Sequence, residues 1–264
     1  MSVIEINDIS QPELAPFVSL TENKLRNFDN DGLIIVESPK VIATALENGL
    51  QPVALLCEKK HISGDASFII EENPSLPVYT GERELLRRLT GYTLTRGVLC
   101  AMIRPKRFPT DEILRNAERV CVLYDICDTT NVGAIFRTAA ALAFDAVILS
   151  EQNCDPFNRR AIRVSMGAVF QIPWCYEKDI MKVLREQGFI SVSMALSHES
   201  KYLQDFIVLK EKKYAVIFGS EGYGLPEKIT ETSDEVVKIP MKPGVDSLNV
   251  GAAAAITMWY FSQK

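Results

Sequence analysis

From residue 120 onward, short apolar runs alternate with helix-like segments, and no other feature of the chain restricts its fold so strongly. Residues 120–124, 146–149, 190–194, 214–218 and 235–239 are four- or five-residue runs in which β-branched and other apolar residues predominate. That is the pattern of strands covered on both faces. Between and after them, 131–142 is Ala-rich at helical spacing, 159–169 and 180–186 read as helices, and 249–261 is almost wholly apolar. Alternation of this kind builds a parallel sheet flanked by helices, and such sheets gather ligands at the carboxyl ends of their strands. The expectation is an α/β domain over 120–264.

The first hundred residues give a second α/β signal. Residues 33–36 form a β-branched run, after which Ser38-Pro39 offers an N-cap and a first-turn proline. Val41, Ile42, Ala45 and Leu46 recur at helical spacing before Gly49 ends the segment. Residues 53–57 read as a strand, Thr80 as the cap of a helix carrying Leu85, Leu86 and Leu89, and 98–103 as a closing strand. We therefore expect a small domain over 1–104 and a linker over 105–119, where Pro105, Pro109 and many charges interrupt the pattern. No repeat or low-complexity segment stands out.

Charge and composition exclude several classes. The net charge of −5 argues against a generic nucleic-acid binder, yet basic residues cluster. Arg83, Arg87, Arg88, Arg96, Arg104, Lys106 and Arg107 form one group, and Arg159, Arg160 and Arg163 another. Solvated charge accounts for either group equally well when it is viewed alone. The six cysteines contain no Cys-x-x-Cys pair, and Cys57, Cys100 and Cys121 lie in apolar runs, so buried free thiols are expected rather than zinc or disulfides. His61 and His198, the two histidines, sit in polar stretches and are expected to be exposed, which disfavours chemistry built on a histidine base. No apolar run reaches membrane-spanning length, and residues 1–7 lack a signal-peptide pattern, so the expected compartment is the cytoplasm.

Three strand ends lead into loops of small and polar residues. The first runs through Asp128, Asn131, Gly133 and Arg137; Asn131 is placed to cap the following helix, and Arg137 is either one half of a buried ion pair or a residue that recognises a phosphate or a hydroxyl. The second, Gly219-Ser220-Glu221-Gly222-Tyr223-Gly224, lacks the order of a dinucleotide fingerprint and the Lys of a P-loop. Its glycines mark either a close ligand or a tight turn. The third is Ile239-Pro240-Met241, then Asp246-Ser247-Leu248-Asn249-Val250; Asn249 is placed to cap a helix, and the apolar members suit the faces of an adenine.

Taken together, these segments resemble the SpoU family of ribose methyltransferases, of the SPOUT superfamily. The family's first motif matches Asp128, Asn131, Gly133 and Arg137; its second matches Gly219, Glu221, Gly222 and Gly224; its third matches residues 239–241 and 247–250. The likeness covers roughly 120–260, and three ordered motifs are far more specific than any one. More weakly, the N-terminal unit resembles the ribosomal-protein-like substrate-binding domain often found ahead of this one. Two departures bear on backbone shape: Thr129 stands where the family commonly has Pro, and Ala143 where it often has Gly.

The resemblance implies an α/β fold whose parallel sheet ends in a C-terminal trefoil knot, which no periodicity argument reaches because knots are almost absent among folds. It implies S-adenosyl-L-methionine as cofactor, held at Gly219, Ile239, Met241 and Leu248, and methylation of a ribose 2′-hydroxyl in structured RNA, rRNA or tRNA. Asn131, Arg137, Glu221, Ser247 and Asn249 are the implied polar residues around the reacting ribose, and a homodimer is the implied assembly. A Rossmann-type nucleotide enzyme is the first rival. It needs a Gly-x-Gly-x-x-Gly turn about 20 residues before an acid; Asp145 stands near that place, but the turn is absent. A non-catalytic RNA-binding module is the second, and loss of Arg137 or of the third motif would favour it; both are present.

Overall fold

The computed structural model describes residues 2–18, 22–28, 32–94, 97–197, 200–244 and 247–263. Arg96, His198 and Asp246, singled out above, lie outside the described residues. The chain divides into two compact units, one of residues 1–106 with 157–170, the other of 107–156 with 171–264.

The first unit carries a five-stranded sheet of β1 (Ser2–Glu5), β2 (Leu33–Glu37), β3 (Pro52–Glu58), β4 (Pro77–Gly81) and β5 (Val98–Ile103) in the order β1-β4-β3-β5-β2. β1, β4 and β3 run parallel, while β5 is antiparallel to both neighbours, so the sheet is mixed. The helix Pro39–Glu47 buries Val41, Ile42 and Ala45, as its spacing predicts, but the Ser38 hydroxyl makes no capping bond. Thr80 is no helix cap. Its backbone pairs with Glu5 and Cys57 inside β4, and the helix Arg83–Thr90 begins only after Glu82. Leu14, Leu56, Leu86, Leu99 and Ala101 belong to the core of this unit.

Residues 157–170 join this unit, although the sequence expectation put them in the second domain. Nor do they form one helix: Arg159–Val164 is helical, Met166 and Gly167 adopt left-handed backbone (φ 55° and 85°), and Ala168–Phe170 is a separate 3-10 turn. The left-handed pair reverses the chain and ends the helix. His61 departs from its expected exposure as well. Its ring is mostly covered, packs where Gly97 has no side chain, and sets Nδ1 3.3 Å from Asp65.

The second unit holds a seven-stranded sheet of β6 (Arg119–Leu123), β7 (Ala146–Leu149), β8 (Trp174–Tyr176), β9 (Phe189–Met194), β10 (Lys201–Tyr202), β11 (Lys213–Phe218) and β12 (Glu235–Lys238). Their order is β10-β12-β9-β11-β6-β7-β8, and every pairing is parallel. β8 and β10 span three and two residues, too short to show a period, and the sequence did not reveal them. Val120, Val122, Ile148, Ala215 and Ile217 are core residues of this unit.

Asp128, not Asn131, caps the helix Thr129–Ala141; its carboxylate accepts the Thr130 N–H at 2.5 Å and the Asn131 N–H at 3.4 Å. Both departures from the family pattern fall where the replaced residue type has a backbone reason. Thr129 is the first helical residue, the position proline suits. Ala143, just past the helix, has φ 54°, which glycine adopts without strain. The last helix, Val250–Ser262, returns from the far side of β9 to pack on the Thr129–Ala141 helix and on β11. Cys57, Cys100 and Cys121 are buried in β3, β5 and β6; burial, aided by Glu58, pushes the Cys57 thiol up to about 12.

Candidate active site

β12, β9 and β11 are neighbours in the sheet, so the loops leaving their carboxyl ends converge. They enclose a cavity of about 560 Å³ within the second unit. Of the residues singled out in the sequence, Gly219, Glu221, Ile239, Met241, Ser247, Leu248 and Asn249 line it. Met194, Leu196 and Tyr223 line it too, and the sequence reading passed over them. The signal for the first two was their place at and just beyond the carboxyl end of β9, where such sheets build sites.

The glycine loop is shaped mainly by itself. A Cβ on Gly219 would collide with the backbone of Gly224 and Leu225, and Gly224 has φ 67°. The Gly224 N–H donates to the Ser220 carbonyl at 2.9 Å, folding the loop back on its own start. Gly219 is thus required by a tight turn, whereas Gly222 faces open space.

One polar residue from each motif meets beside the cavity. The Asn131 amide donates to Glu221 Oε1 at 2.7 Å. The Asn249 amide donates to the same oxygen at 2.7 Å and to Asn131 Oδ1 at 3.0 Å. The orientation of Asn249 follows from its local role. Its Oδ1 caps the last helix by accepting the Gly251 and Ala252 N–H groups at 3.0 and 3.3 Å, which leaves its NH₂ to face Glu221. Asn131 is buried and free to take part because Asp128 has the capping role. Both donors are neutral, so the carboxylate is oriented without being neutralised.

Arg137 is not brought into the cavity. It lies exposed on the Thr129–Ala141 helix, and among the described residues no ion pair or hydrogen bond holds it, which removes the buried-ion-pair alternative. Among the described residues no cluster of His, Cys, Asp or Glu suits a metal ion.

The model of the SpoU rRNA Methylase family matches residues 118–259. An uncharacterized tRNA/rRNA methyltransferase of Mycobacterium tuberculosis is 31% identical over 98% of this chain and 91% of its own length. The 23S rRNA (guanosine(2553)-2′-O)-methyltransferase of Bacillus subtilis is 30% identical over 57% of this chain and 60% of its own length. Among solved structures, an AdoMet-bound rRNA methyltransferase from Sinorhizobium meliloti superposes with a TM-score of 0.84 at 24% identity, covering 99% of this chain and 98% of that one. The SpoU methyltransferase AviRb of Streptomyces viridochromogenes gives 0.78 at 20% identity, covering 95% of each. These structural likenesses concern the α/β fold with its parallel sheet. With the family model spanning more than half of the chain and a relative aligned along almost all of it, the chain belongs to the SpoU rRNA methylase family of RNA methyltransferases.

Proposed function

We propose that this chain transfers a methyl group from S-adenosylmethionine to the 2′-hydroxyl of a ribose in rRNA or tRNA. The observation that carries the reading is the cavity at the carboxyl ends of β9, β11 and β12, lined by both apolar and polar residues, with the Asn131–Glu221–Asn249 cluster at its side. A volume of about 560 Å³ lies within the range for a small organic cofactor. Ile239, Met241 and Leu248 offer apolar faces to a purine, and the loop backbone around Gly219 offers polar edges. When bound, S-adenosylmethionine supplies an activated methyl on a sulfonium, a leaving group that needs no acid.

The remaining work falls to the protein: aligning the ribose oxygen and stabilising the charge that develops on it. Both amide bonds to Glu221 fall on Oε1, leaving Oε2 to accept a hydrogen bond from the ribose hydroxyl. Ser247 adds a hydroxyl at the cavity wall. Arg137, as a planar fork, holds the phosphate next to the target ribose and favours ionisation of its hydroxyl.

The same reading includes the trefoil knot and a homodimer working in the cytoplasm. The return of the last helix from beyond β9 to the Thr129–Ala141 helix supports the knot. On that last helix Ala252, Ile256 and Trp259 share an exposed apolar face, with Ile256 42% and Trp259 55% exposed, which supports pairing with a second copy. Among the described residues no helix is long and apolar enough to cross a membrane.

The test uses S-adenosylmethionine tritiated on its methyl group and RNA from cells lacking the gene. Label should enter the RNA and survive alkaline hydrolysis as alkali-resistant dinucleotides, because a methylated 2′-oxygen cannot attack the adjacent phosphate. Label recovered only in mononucleotides, or no transfer to either RNA class, would refute the ribose assignment.

A further inference from the structure

The first unit has a cleft of its own, of about 360 Å³, lined by Phe17, Ile35 and Leu99 and by Tyr92, Arg159 and Arg160. All six belong to that unit, the two arginines through residues 157–170. Among the described residues no carboxylate lines the cleft.

Its chemistry is set by a buried charge nearby. Glu37 is 2% exposed, and neither of its oxygens has a hydrogen bond. Arg159 Nε and Arg163 Nη1 stand 3.8 and 3.5 Å from Oε2, close enough for attraction but not for good hydrogen bonds. The Arg159 guanidinium also sits 4.0 Å from the centre of the Tyr92 ring. Attraction to a buried carboxylate and to an aromatic face thus fixes Arg159 at the cleft wall. Among the described residues the Glu37 carboxylate faces two guanidiniums, and Arg160 on the same helix adds a third, so this side of the cleft is rich in positive charge.

A ligand for this cleft needs a flat apolar face and an adjoining anion. The volume admits about one nucleotide and is too small for a helix or a duplex. Single-stranded RNA offers that combination, since an unstacked base can enter a cleft while its phosphate meets arginine. We propose that this cleft seats one unpaired nucleotide of the RNA substrate, with its base against Tyr92 and the apolar wall and its phosphate on Arg159 and Arg160. The proposal rests on the RNA-methyltransferase reading above.

The full-length protein is tested by fluorescence anisotropy with a labelled ten-nucleotide single-stranded RNA and with a ten-base-pair RNA duplex. Arg160 is exposed, so Arg160→Ala leaves the fold intact. Val18 is an exposed residue of the cleft lining, so Val18→Trp fills the cleft without entering the core. Circular dichroism melting verifies folding of both. Each variant should weaken single-strand binding at least fivefold and change duplex binding by less than twofold. Arg160→Ala alone should also lower the salt slope by about 0.7, the value for one phosphate contact on a single strand. Unchanged single-strand binding in both variants overturns the proposal. So does equal loss for duplex and single strand, which indicates a phosphate patch without a base site. S-adenosylmethionine binding by calorimetry keeps the two readings apart: if the parent takes up none while single-strand binding follows the variants, the methyltransferase reading fails and the cleft assignment stands.

Discussion

Glu221 in the second unit and Glu37 in the first are held in opposite ways. Glu221 receives two neutral amide N–H groups on one oxygen and remains open to solvent. Glu37 is buried, has no hydrogen bond on either oxygen, and is offset by guanidiniums at 3.5 and 3.8 Å. Amide donors fix the direction of a carboxylate and leave its charge in place; loose ion pairs cancel the charge and leave the hydrogen-bonding capacity unused. The first arrangement suits a group that acts on a ligand. The second suits a group that places cations.

If the second unit is the catalytic one, the largest effect should come from Arg137. We expect Arg137→Ala to lose two to three orders of magnitude in single-turnover rate, about 3–4 kcal/mol of transition-state stabilisation, with cofactor affinity and melting temperature held. Arg137→Lys should recover little, because a point charge does not replace the fork. A melting temperature that collapses with Arg137→Ala would make the residue structural and erase the contrast between the units.

On the first unit, Arg159→Ala combined with Arg163→Ala strands the Glu37 carboxylate in the interior. Urea unfolding should show a loss of about 3 kcal/mol, and adding Glu37→Met should restore most of it. Failure of the third substitution to rescue would mean that the arginines do not serve to offset Glu37.

A smaller effect is expected at the cavity wall. Leu248→Asp sets a carboxylate against the purine face, and calorimetry should show S-adenosylmethionine binding at least tenfold weaker, about 1.4 kcal/mol. Binding at parental strength in a folded variant removes the cofactor from this cavity. The smallest change touches neither carboxylate. Ala143→Gly relieves a left-handed backbone just past the helix that carries Asn131 and Arg137. It should stabilise the protein by about 1 kcal/mol or less, raising the melting temperature by about 2 °C, with turnover unchanged.

The strands β6, β7 and β11 were legible because they are covered on both faces and read as unbroken apolar runs. The cap role of Asn249 was legible because it depends only on the residues that follow it. Asn131 shows the limit of such reasoning: it looked like a cap, but Asp128 three residues earlier fits that place, and the choice between them is set by where the strand ends. Thr80 failed likewise, because pairing with β1 and β3 claimed its backbone.

The amino-acid sequence by itself determined the alternation of strands and helices, the three strand-end motifs and the family to which they belong. Those properties depend on residues within a turn or two of one another, and periodicity records them. Only the tertiary structure decided that Asn131 and Asn249, 118 residues apart, share a hydrogen bond, and that both reach Glu221. It also decided that Arg159 and Arg163 serve the first unit although they lie within the sequence span of the second. Both outcomes follow from which strands become neighbours in a sheet, which is settled by the burial of whole faces rather than by any local stretch of chain.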